Sequence, residues 1–361
     1  MDKMSKFSIE NMNKQNRNNQ LIFNKNNLFD FFFLLFISLS SLFIFKNDFA
    51  GATSLIFVSI LAIVLTRIYF PIRNIIIIAL TLRLLTIYLS SVYSLPDSTI
   101  DSIKFEKIAF KWSQDGFLKV ISYYPGPRSH FISWPIAIFY SFFGRSIVLA
   151  QSLSLFFGIG SIFLGWLLAK KLWNDNIAIK AGWLIAVFPT LVLYSVLILR
   201  EIYVVFFLLV AIFGLVSWIK VNKLRWAFLT IFGFTMATFF HGAMIIGGIF
   251  FILIFSLVYL NKFLSLAIRF NKISIKNILM IILILILSTK FFSNKIYIPK
   301  IGSFNDLSLS RFSDITSQKS IGNAAYPDWL EISSPFEFIY KTPARVLYFI
   351  FSPFPWEVKT F

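Results

Sequence analysis

Long, uninterrupted runs of apolar residues recur along most of this chain. An α-helix needs about 20 such residues to cross the hydrocarbon core of a bilayer. Because apolar and polar residues do not alternate within the runs, they indicate helices rather than strands. The predicted spans are Leu28–Phe45, Phe49–Thr66, Asn74–Ser94, Ser146–Ala169, Ile177–Leu199, Ile202–Ile219, Trp226–Phe240, Ala243–Leu260 and Asn277–Phe292, with a partial tenth span beginning near Arg345.

The composition agrees with this pattern, because 58% of the 361 residues are hydrophobic and only 14% are charged. Soluble chains carry about 25% charged residues, and no water-soluble fold can hide so much apolar side chain. The sequence therefore predicts an all-α integral membrane protein, a polytopic helical bundle of about 9–10 spans. The chain has no cysteine, which excludes disulfides, thiolate metal sites and cysteine nucleophiles.

The charge of the chain bears on its orientation. A net charge of +18 would suggest nucleic acid as a partner of a soluble protein. In a membrane protein, Lys and Arg instead concentrate in cytoplasmic loops, so no nucleic-acid partner is expected. The short loops at 67–73, 170–180, 220–225 and 262–276 are the cationic ones and are predicted to be cytoplasmic. We expect a multi-pass plasma membrane protein (the inner membrane of a bacterium) with a cytoplasmic N-terminus.

This orientation divides the chain into segments. Residues 1–27 are polar and are predicted to form a disordered cytoplasmic arm. The remaining predicted segments are an N-terminal helical hairpin (28–73), a transmembrane core (74–292) that contains an outer loop (95–145), a second outer loop (293–343) and a partial last span (344–361). Within the first outer loop, Phe131–Phe143 is too short to span and is predicted to be an interfacial or re-entrant helix.

The first outer loop also predicts an amphipathic helix from Ile100 to Trp112. Its apolar stripe would consist of Ile100, Ile103, Ile108 and Trp112, and its cationic stripe of Lys104, Lys107 and Lys111. A helix with these two faces is expected to lie on the outer leaflet, with its lysines near lipid phosphates.

Two aspartates, Asp97 and Asp101, stand at the start of this helix and have two interpretations. As functional groups, they would be a general base or metal ligands that face a pocket at the membrane surface. As structural groups, they would stabilise the first helical turn, since Ser98-x-x-Asp101 fits a capping box. Spacing alone favours the structural interpretation.

From Leu80 to Ser195 the order of motifs resembles the GT-C superfamily of polytopic, mannosyltransferase-like glycosyltransferases, which use polyprenyl- or dolichyl-phosphate-linked sugars. The motifs that carry the resemblance are Leu82-Arg83-Leu84-Leu85, the D-x3-aromatic-x3-A spacing of Asp101, Phe105 and Ala109, then Gly116, Tyr124-Pro125-Gly126, Phe142-Phe143-Gly144, Ala169-Lys170-Lys171-Leu172-Trp173, and the run from Phe188-Pro189 to Tyr194-Ser195. The resemblance implies that Asp101 is the catalytic carboxylate, and we expect Asp97 to assist it.

Several cationic residues are candidates for binding the donor phosphate. Arg83 lies within a predicted span, where it could pair with an acid, a lipid phosphate or another helix. Arg128 and His130 follow a Tyr-Pro-Gly turn and could bind phosphate or anchor the chain at the interface. Arg200 could contact phosphate with Glu201 as an auxiliary group, or both could be snorkelling charges of a hairpin.

Taken together, the sequence and the resemblance predict an inverting glycosyltransferase. It would move a sugar from a polyprenyl-phosphate donor to a glycan, lipid or protein acceptor on the extracytoplasmic side, with Asp101 as general base. No cofactor is required, although a divalent metal ion is compatible with the reaction. The alternatives are a polymerase or ligase of the O-antigen type that uses lipid-linked glycans, a non-enzymatic lipid or glycan transporter, and an accessory scaffold.

Overall fold

The computed structural model describes residues 27–95, 100–126, 130–268, 297–298, 302–303, 327–330, 332 and 335–351. The chain forms two compact units, Met1–Gly248 and Ile249–Phe361. Residues 1–26 of the predicted arm (1–27), the span Asn277–Phe292, Asp97 and Arg128 lie outside the described residues, and Asn27 begins the first helix. Most of the second predicted outer loop also lies outside them.

The first unit is built from helices that follow one another with short connections. Their bounds are α1 Asn27–Ile44, α2 Phe49–Ile68, α3 Arg73–Ser90, α4 Ile100–Ser113, α5 Phe117–Ser122, α6 Ser133–Phe143, α7 Ile147–Leu172, α8 Asp175–Val187, α9 Pro189–Tyr194, α10 Glu201–Val221 and α11 Leu224–Phe240, and α12 begins at Ile245. Short 3₁₀ turns at Phe70–Ile72 and Gly242–Met244 precede α3 and α12.

The predicted all-α membrane class is confirmed. In the described part of the chain, six helices are long and apolar enough to cross a bilayer: Asn27–Ile44, Phe49–Ile68, Phe70–Ser90, Ile147–Leu172, Glu201–Val221 and Gly242–Tyr259. Each matches a predicted span to within a few residues. The apolar helix α11 has only 17 residues, fewer than the about 20 of a straight span.

One predicted span is wrong, because Ile177–Leu199 is not a continuous helix. Helix α8 ends at Val187, a six-residue helix α9 follows from Pro189, and residues 195–200 are not helical. Pro189 has no N–H to donate, and it restricts the residue before it to an extended conformation. Phe188 has that conformation, with φ −62° and ψ 117°.

Helices α2 and α7 define two ends of the first unit. The starts of α2 and α7 touch, since a Cβ on Gly51 would lie 2.5 Å from Val148 Cβ. Their later turns also touch, because the Tyr69 and Phe163 rings are 4.7 Å apart. Helices α2 and α7 therefore run in the same direction. We call the end where they begin the cavity end, and the end where they finish the lysine-rich end.

The second unit contains the continuation of α12 to Ile268, a two-residue antiparallel pair (β1 Tyr297–Ile298 and β2 Gly302–Ser303), and helix α13, Pro335–Phe351. The helix predicted near Arg345 is therefore present but begins earlier, and the predicted boundary at 343/344 falls inside it. Its polar residues Glu337 and Lys341 are paired one turn apart at 3.0 Å.

Candidate functional site

A polar cavity of about 740 Å³ opens at the cavity end of the first unit. It lies between the start of α2, the end of α3, α4, the start of α7 and the non-helical residues Leu197 and Ile198. The polar side chains of its lining include Asp48, Ser102, Glu106, Lys107, Arg145 and Gln151. It therefore combines carboxylates, cations and an amide in one space large enough for a small-molecule ligand.

A bidentate ion pair between Glu106 and Arg145 forms one side of the cavity. Arg145 Nε and Nη2 donate to Glu106 Oε1 and Oε2, both at 2.8 Å, and the Tyr140 hydroxyl lies 3.4 Å from Oε1. The Glu106 side chain is 5% exposed, whereas that of Arg145 is 44% exposed. Arg145 also lies 4.5 Å from the centre of the Phe110 ring, which fixes its orientation further.

This arrangement raises the pKa values of two neighbouring groups, Arg145 and Tyr140. Hydrogen bonding to Glu106 raises the pKa of Arg145 above its usual value, so the guanidinium stays charged. Burial raises the pKa of Tyr140, and the adjacent Glu106 charge adds to that effect. Tyr140 therefore remains a neutral hydroxyl beside the Glu106–Arg145 pair.

The orientation of α4 explains why Glu106 is buried. Ser102, Phe105, Glu106 and Ala109 share its buried face, and Ser133 Oγ donates to the Phe105 carbonyl at 2.7 Å. The predicted apolar stripe is not the face that packs within the protein, because Ile103 on that stripe is 46% exposed, and its predicted contact with the outer leaflet stays a prediction. The face that packs against α6 instead carries a small residue, Ala109. Glu106 lies on the same face and is paired with Arg145.

Asp48 and Ser146 join the starts of α2 and α7 beside the cavity. Asp48 Oδ1 accepts from Gly51 N at 2.8 Å, which caps α2, and Asp48 Oδ2 accepts from Ser146 Oγ at 2.7 Å. Ser146 Oγ in turn accepts from Leu149 N at 2.9 Å, which caps α7. One carboxylate thus satisfies donors from both helix starts, and this connection joins α2 to α7 at the wall of the cavity.

The predicted catalytic residue Asp101 lies in the first turn of α4 with an exposed side chain, and it is not part of the cavity lining. Its neighbour Ser102 does line the cavity, so Asp101 is one residue away from the wall. The lysine stripe of the same helix is exposed, and Lys107 from that stripe contributes to the lining.

The predicted phosphate-binding residues do not all come together. His130 lies against Trp112, with ring centres 6.0 Å apart. Arg200 Nε lies 3.3 Å from Glu201 Oε1, and the Arg200 side chain is 16% exposed. Arg200 follows Leu197 and Ile198 in the chain, so it stands near the cavity without lining it.

Arg83 is far more buried than the other candidates, with 1% of the residue exposed. Its Nη1 donates to the Ala186 carbonyl at 2.8 Å and to the Ala79 carbonyl at 3.2 Å. Ala186 belongs to the last turn of α8, where carbonyls lose their helical partners because Pro189 follows. In this structure Arg83 therefore stabilises the broken helix, and in the described part of the chain no ion pair joins it to an acid.

Sequence reasoning missed Glu106, Arg145 and Asp48. Glu106 carried a usable signal, because it lies four residues after Ser102 and three before Ala109, on one face of a helix with small residues. Arg145 and Asp48 carried none, since their partners are distant in sequence.

Among the residues that the structure describes, no group of three or more His, Asp or Glu side chains could hold a metal ion. The compatibility with a divalent metal ion stays a prediction. In comparisons with family models, curated proteins and solved structures, nothing matches the chain. The resemblance to GT-C glycosyltransferases consequently rests on motif order alone, and the structure independently shows an all-α membrane protein with a polar cavity at one end.

Proposed function

We propose that this protein is a membrane glycosyltransferase that takes a sugar from a polyprenyl-phosphate donor at the cavity end of the first unit. The observation that carries the proposal is the cavity, in which carboxylates and cations face one space beside membrane-spanning helices. Sugar transfer from a lipid phosphate needs a carboxylate that accepts a proton and cations that stabilise the leaving phosphate. The cations line the cavity, and the proposed base, Asp101, is one residue along the chain from its lining. Helix α4, which carries the Asp101-x3-Phe105-x3-Ala109 motif, contributes other residues, Glu106 and Lys107 among them, to the lining.

In the proposed reaction, an acceptor hydroxyl attacks the anomeric carbon of the donor sugar. The bond between that carbon and the phosphate oxygen breaks, and the bonding electrons leave with the phosphate. The hydroxyl proton passes to a carboxylate, which is a single displacement that inverts the anomeric centre. Arg145 and Lys107, which line the cavity, would stabilise the phosphate, with Arg200 nearby and Arg128 and His130 as further candidates from the sequence.

Two carboxylates of α4 are candidates for the general base. Asp101 is the base that the resemblance implies, and its exposed carboxylate is free of the Arg145 pair. Glu106 lies inside the cavity, but both of its oxygens accept from Arg145 in this structure. We therefore keep Asp101 as the base, with Asp97 assisting it, and assign Glu106 the role of positioning Arg145.

The test is transfer of radiolabelled sugar from a polyprenyl-phosphate pool in membranes that contain the wild type, Asp101→Asn, Glu106→Gln or Asp115→Asn. Asp115 is the matched control, since it is an exposed carboxylate of the same segment, paired with Lys119 and Tyr123. We expect Asp101→Asn to lose transfer by about 10²–10⁴-fold, the usual contribution of general base catalysis, while Asp115→Asn keeps it.

Two results would contradict the proposal. Transfer by wild-type membranes no greater than by membranes without the protein would reject the glycosyltransferase function. Wild-type transfer by Asp101→Asn, together with loss in Glu106→Gln at equal protein level, would move the base to Glu106 and reject the resemblance-based assignment. A polymerase or ligase of the O-antigen type would instead lose activity on substitution of arginines and keep it in Asp101→Asn.

A transporter is the second candidate, and the broken helix favours it. Non-helical backbone within a membrane protein is tolerated where it is buried or lines a cavity, and broken helices form the central sites of many transporters. Residues 195–199 are non-helical and buried, and Arg83 lies at the break. A transporter would lose uptake or flipping in Arg83→Met and keep it in Asp101→Asn, which is the opposite of the transferase pattern.

A further inference from the structure

Three cations gather at the lysine-rich end of the first unit, and two of them lie against the ring of Trp226. Lys171 Nζ lies 4.8 Å from the ring centres of both Phe213 and Trp226. Arg225 Cζ lies 5.0 Å from the Trp226 ring centre. Lys220 Nζ donates to the Lys171 carbonyl at the last turn of α7. We call Lys171, Lys220 and Arg225 the cation cluster.

The cation cluster has no acidic partner in the ion pairs that the structure gives. Lys220 and Arg225 are close enough to repel Lys171 electrostatically, and no carboxylate among the residues that the structure describes offsets that repulsion. The nearest acid along the chain, Asp175, is already paired with Lys170 at 2.7 Å. Like charges held together without a counter-ion favour an anion that neutralises them, because the attraction replaces a repulsion.

The surroundings of the cluster match the level of lipid headgroups. Lys171 stands at the end of α7, one of the helices long enough to span, and α10 ends beside it. Trp and Tyr side chains concentrate where spans meet the aqueous phase, and Lys and Arg near such ends reach for lipid phosphates. The aromatic rings also hold Lys171 and Arg225 in place, so little side-chain entropy remains to be lost on binding.

We propose that the cation cluster is a binding site for the phosphate of an anionic lipid headgroup. The phosphate would lie among Lys171, Lys220 and Arg225, while the acyl chains stay beside α7 and α10 in the bilayer. The site is at the opposite end of the unit from the polar cavity, so the inference does not depend on the proposed sugar transfer. A soluble phosphate shares the headgroup's charge, and the experiment separates the two.

The test measures the thermal unfolding midpoint of the purified full chain in a neutral detergent, at constant ionic strength. Phosphatidylglycerol, phosphatidylcholine or inorganic phosphate is titrated in. The test variant is Lys171→Gln/Arg225→Gln. The matched control is Lys46→Gln/Lys119→Gln, which removes the same charge from exposed positions outside both the cation cluster and the lysine stripe of α4. Lys220 is left in place because it satisfies the end of α7.

We expect phosphatidylglycerol to raise the wild-type midpoint, with phosphatidylcholine and inorganic phosphate far less effective. Each cation near a lipid surface contributes about fivefold to binding, so the test variant, which lacks two cations, should need about 25-fold more lipid. The control should respond as the wild type does. If the double variant fails to fold, Lys171→Gln and Arg225→Gln are measured singly, with about a fivefold change expected for each.

Three outcomes would overturn the proposal. An equal loss in both double variants would mean general charge attraction rather than a site. An equal response to phosphatidylcholine would remove the role of the anionic headgroup. Saturation by inorganic phosphate at concentrations that match the lipid would assign the cluster to a soluble anion. The retained-charge variant Lys171→Arg should keep the lipid response under the proposal.

Discussion

At the scale of single residues, three buried charged side chains are each stabilised by a different set of partners. Asp30 is 1% exposed and lies 2.7 Å from Arg73 Nη2, with Arg67 Nε at 3.5 Å. Glu106 has the two oxygens of its carboxylate matched by one guanidinium. Arg83 instead donates to backbone carbonyls. Each charge is stabilised by hydrogen bonds of defined geometry, as burial requires.

The Glu106–Arg145 pair supplies a prediction about stability. Glu106→Gln keeps the shape of the side chain but removes the charge that both Arg145 nitrogens contact. Hydrogen bonds to charged groups contribute about 1.5–3 kcal/mol, and we expect a loss of that size in the free energy of unfolding. The value stays below the about 3–5 kcal/mol of a fully buried pair, because water reaches Arg145 in part. Chemical or thermal unfolding in detergent measures it.

Asp115→Asn is the control for this measurement, because Asp115 is an exposed carboxylate whose pKa is lowered first by the Tyr123 hydroxyl and then by Lys119. Exposed pairs contribute little, so this variant should unfold like the wild type. If both variants lost the same stability, the Glu106–Arg145 contact would not be the source of the effect. In Glu106→Gln/Arg145→Gln, the second substitution should add little, since its partner is already absent.

At the scale of elements, helices α10 and α11 cross closely because each contributes a glycine that faces the backbone of the other helix. A Cβ on Gly233 would lie 2.5 Å from Ala211 N, and a Cβ on Gly214 would lie 2.7 Å from Thr230 N. Small residues at such crossings allow membrane helices to approach one another. A side chain at either position can be accommodated only if the helices separate, because backbone atoms cannot swing aside.

We therefore expect Gly233→Ala to destabilise the protein by about 1–3 kcal/mol, the usual cost of overpacking. Gly182→Ala is the matched control. The Cβ it adds would lie 3.1 Å from Ile75 Cδ1, the end of a flexible side chain that can rotate away. Alanine also favours the helix over glycine by about 1 kcal/mol, which should make this variant neutral or better. Equal unfolding midpoints for the two variants would contradict the close crossing.

The elements also show where sequence reasoning works and where it stops. Apolar length identified α2, α7 and α10, because a span's length is a local property of the chain. The same reasoning predicted one continuous span over α8 and the segment after Pro189, because hydropathy does not reveal that proline lacks a backbone N–H donor. The buried face of α4 was missed because contacts with α6 and Arg145 determine that Phe105, Glu106 and Ala109 are buried. The spacing of residues within α4 does not reveal those contacts.

At the scale of the whole first unit, the two ends differ in charge and chemistry. The cavity end holds carboxylates together with cations, around the space between α2, α4 and α7. The lysine-rich end holds Arg67, Lys171 and Arg225, with Asp30 and Asp175 already engaged in ion pairs. Loops rich in Lys and Arg face the cytoplasm in most membrane proteins. This asymmetry predicts that the cavity faces the opposite side of the membrane, as a lipid-linked donor outside the cytoplasm would require.

Single cysteines can test that orientation, because the chain has none of its own. Lys104→Cys places a thiol at the cavity end, and Lys223→Cys places one at the lysine-rich end; both positions are exposed. A membrane-impermeant maleimide added to intact cells should label Lys104→Cys and leave Lys223→Cys unlabelled until the membrane is permeabilised. Both variants should react equally in detergent, which controls for thiol reactivity. Labelling of Lys223→Cys alone in intact cells would place the cavity in the cytoplasm, and the extracytoplasmic sugar transfer proposed for it would then be rejected.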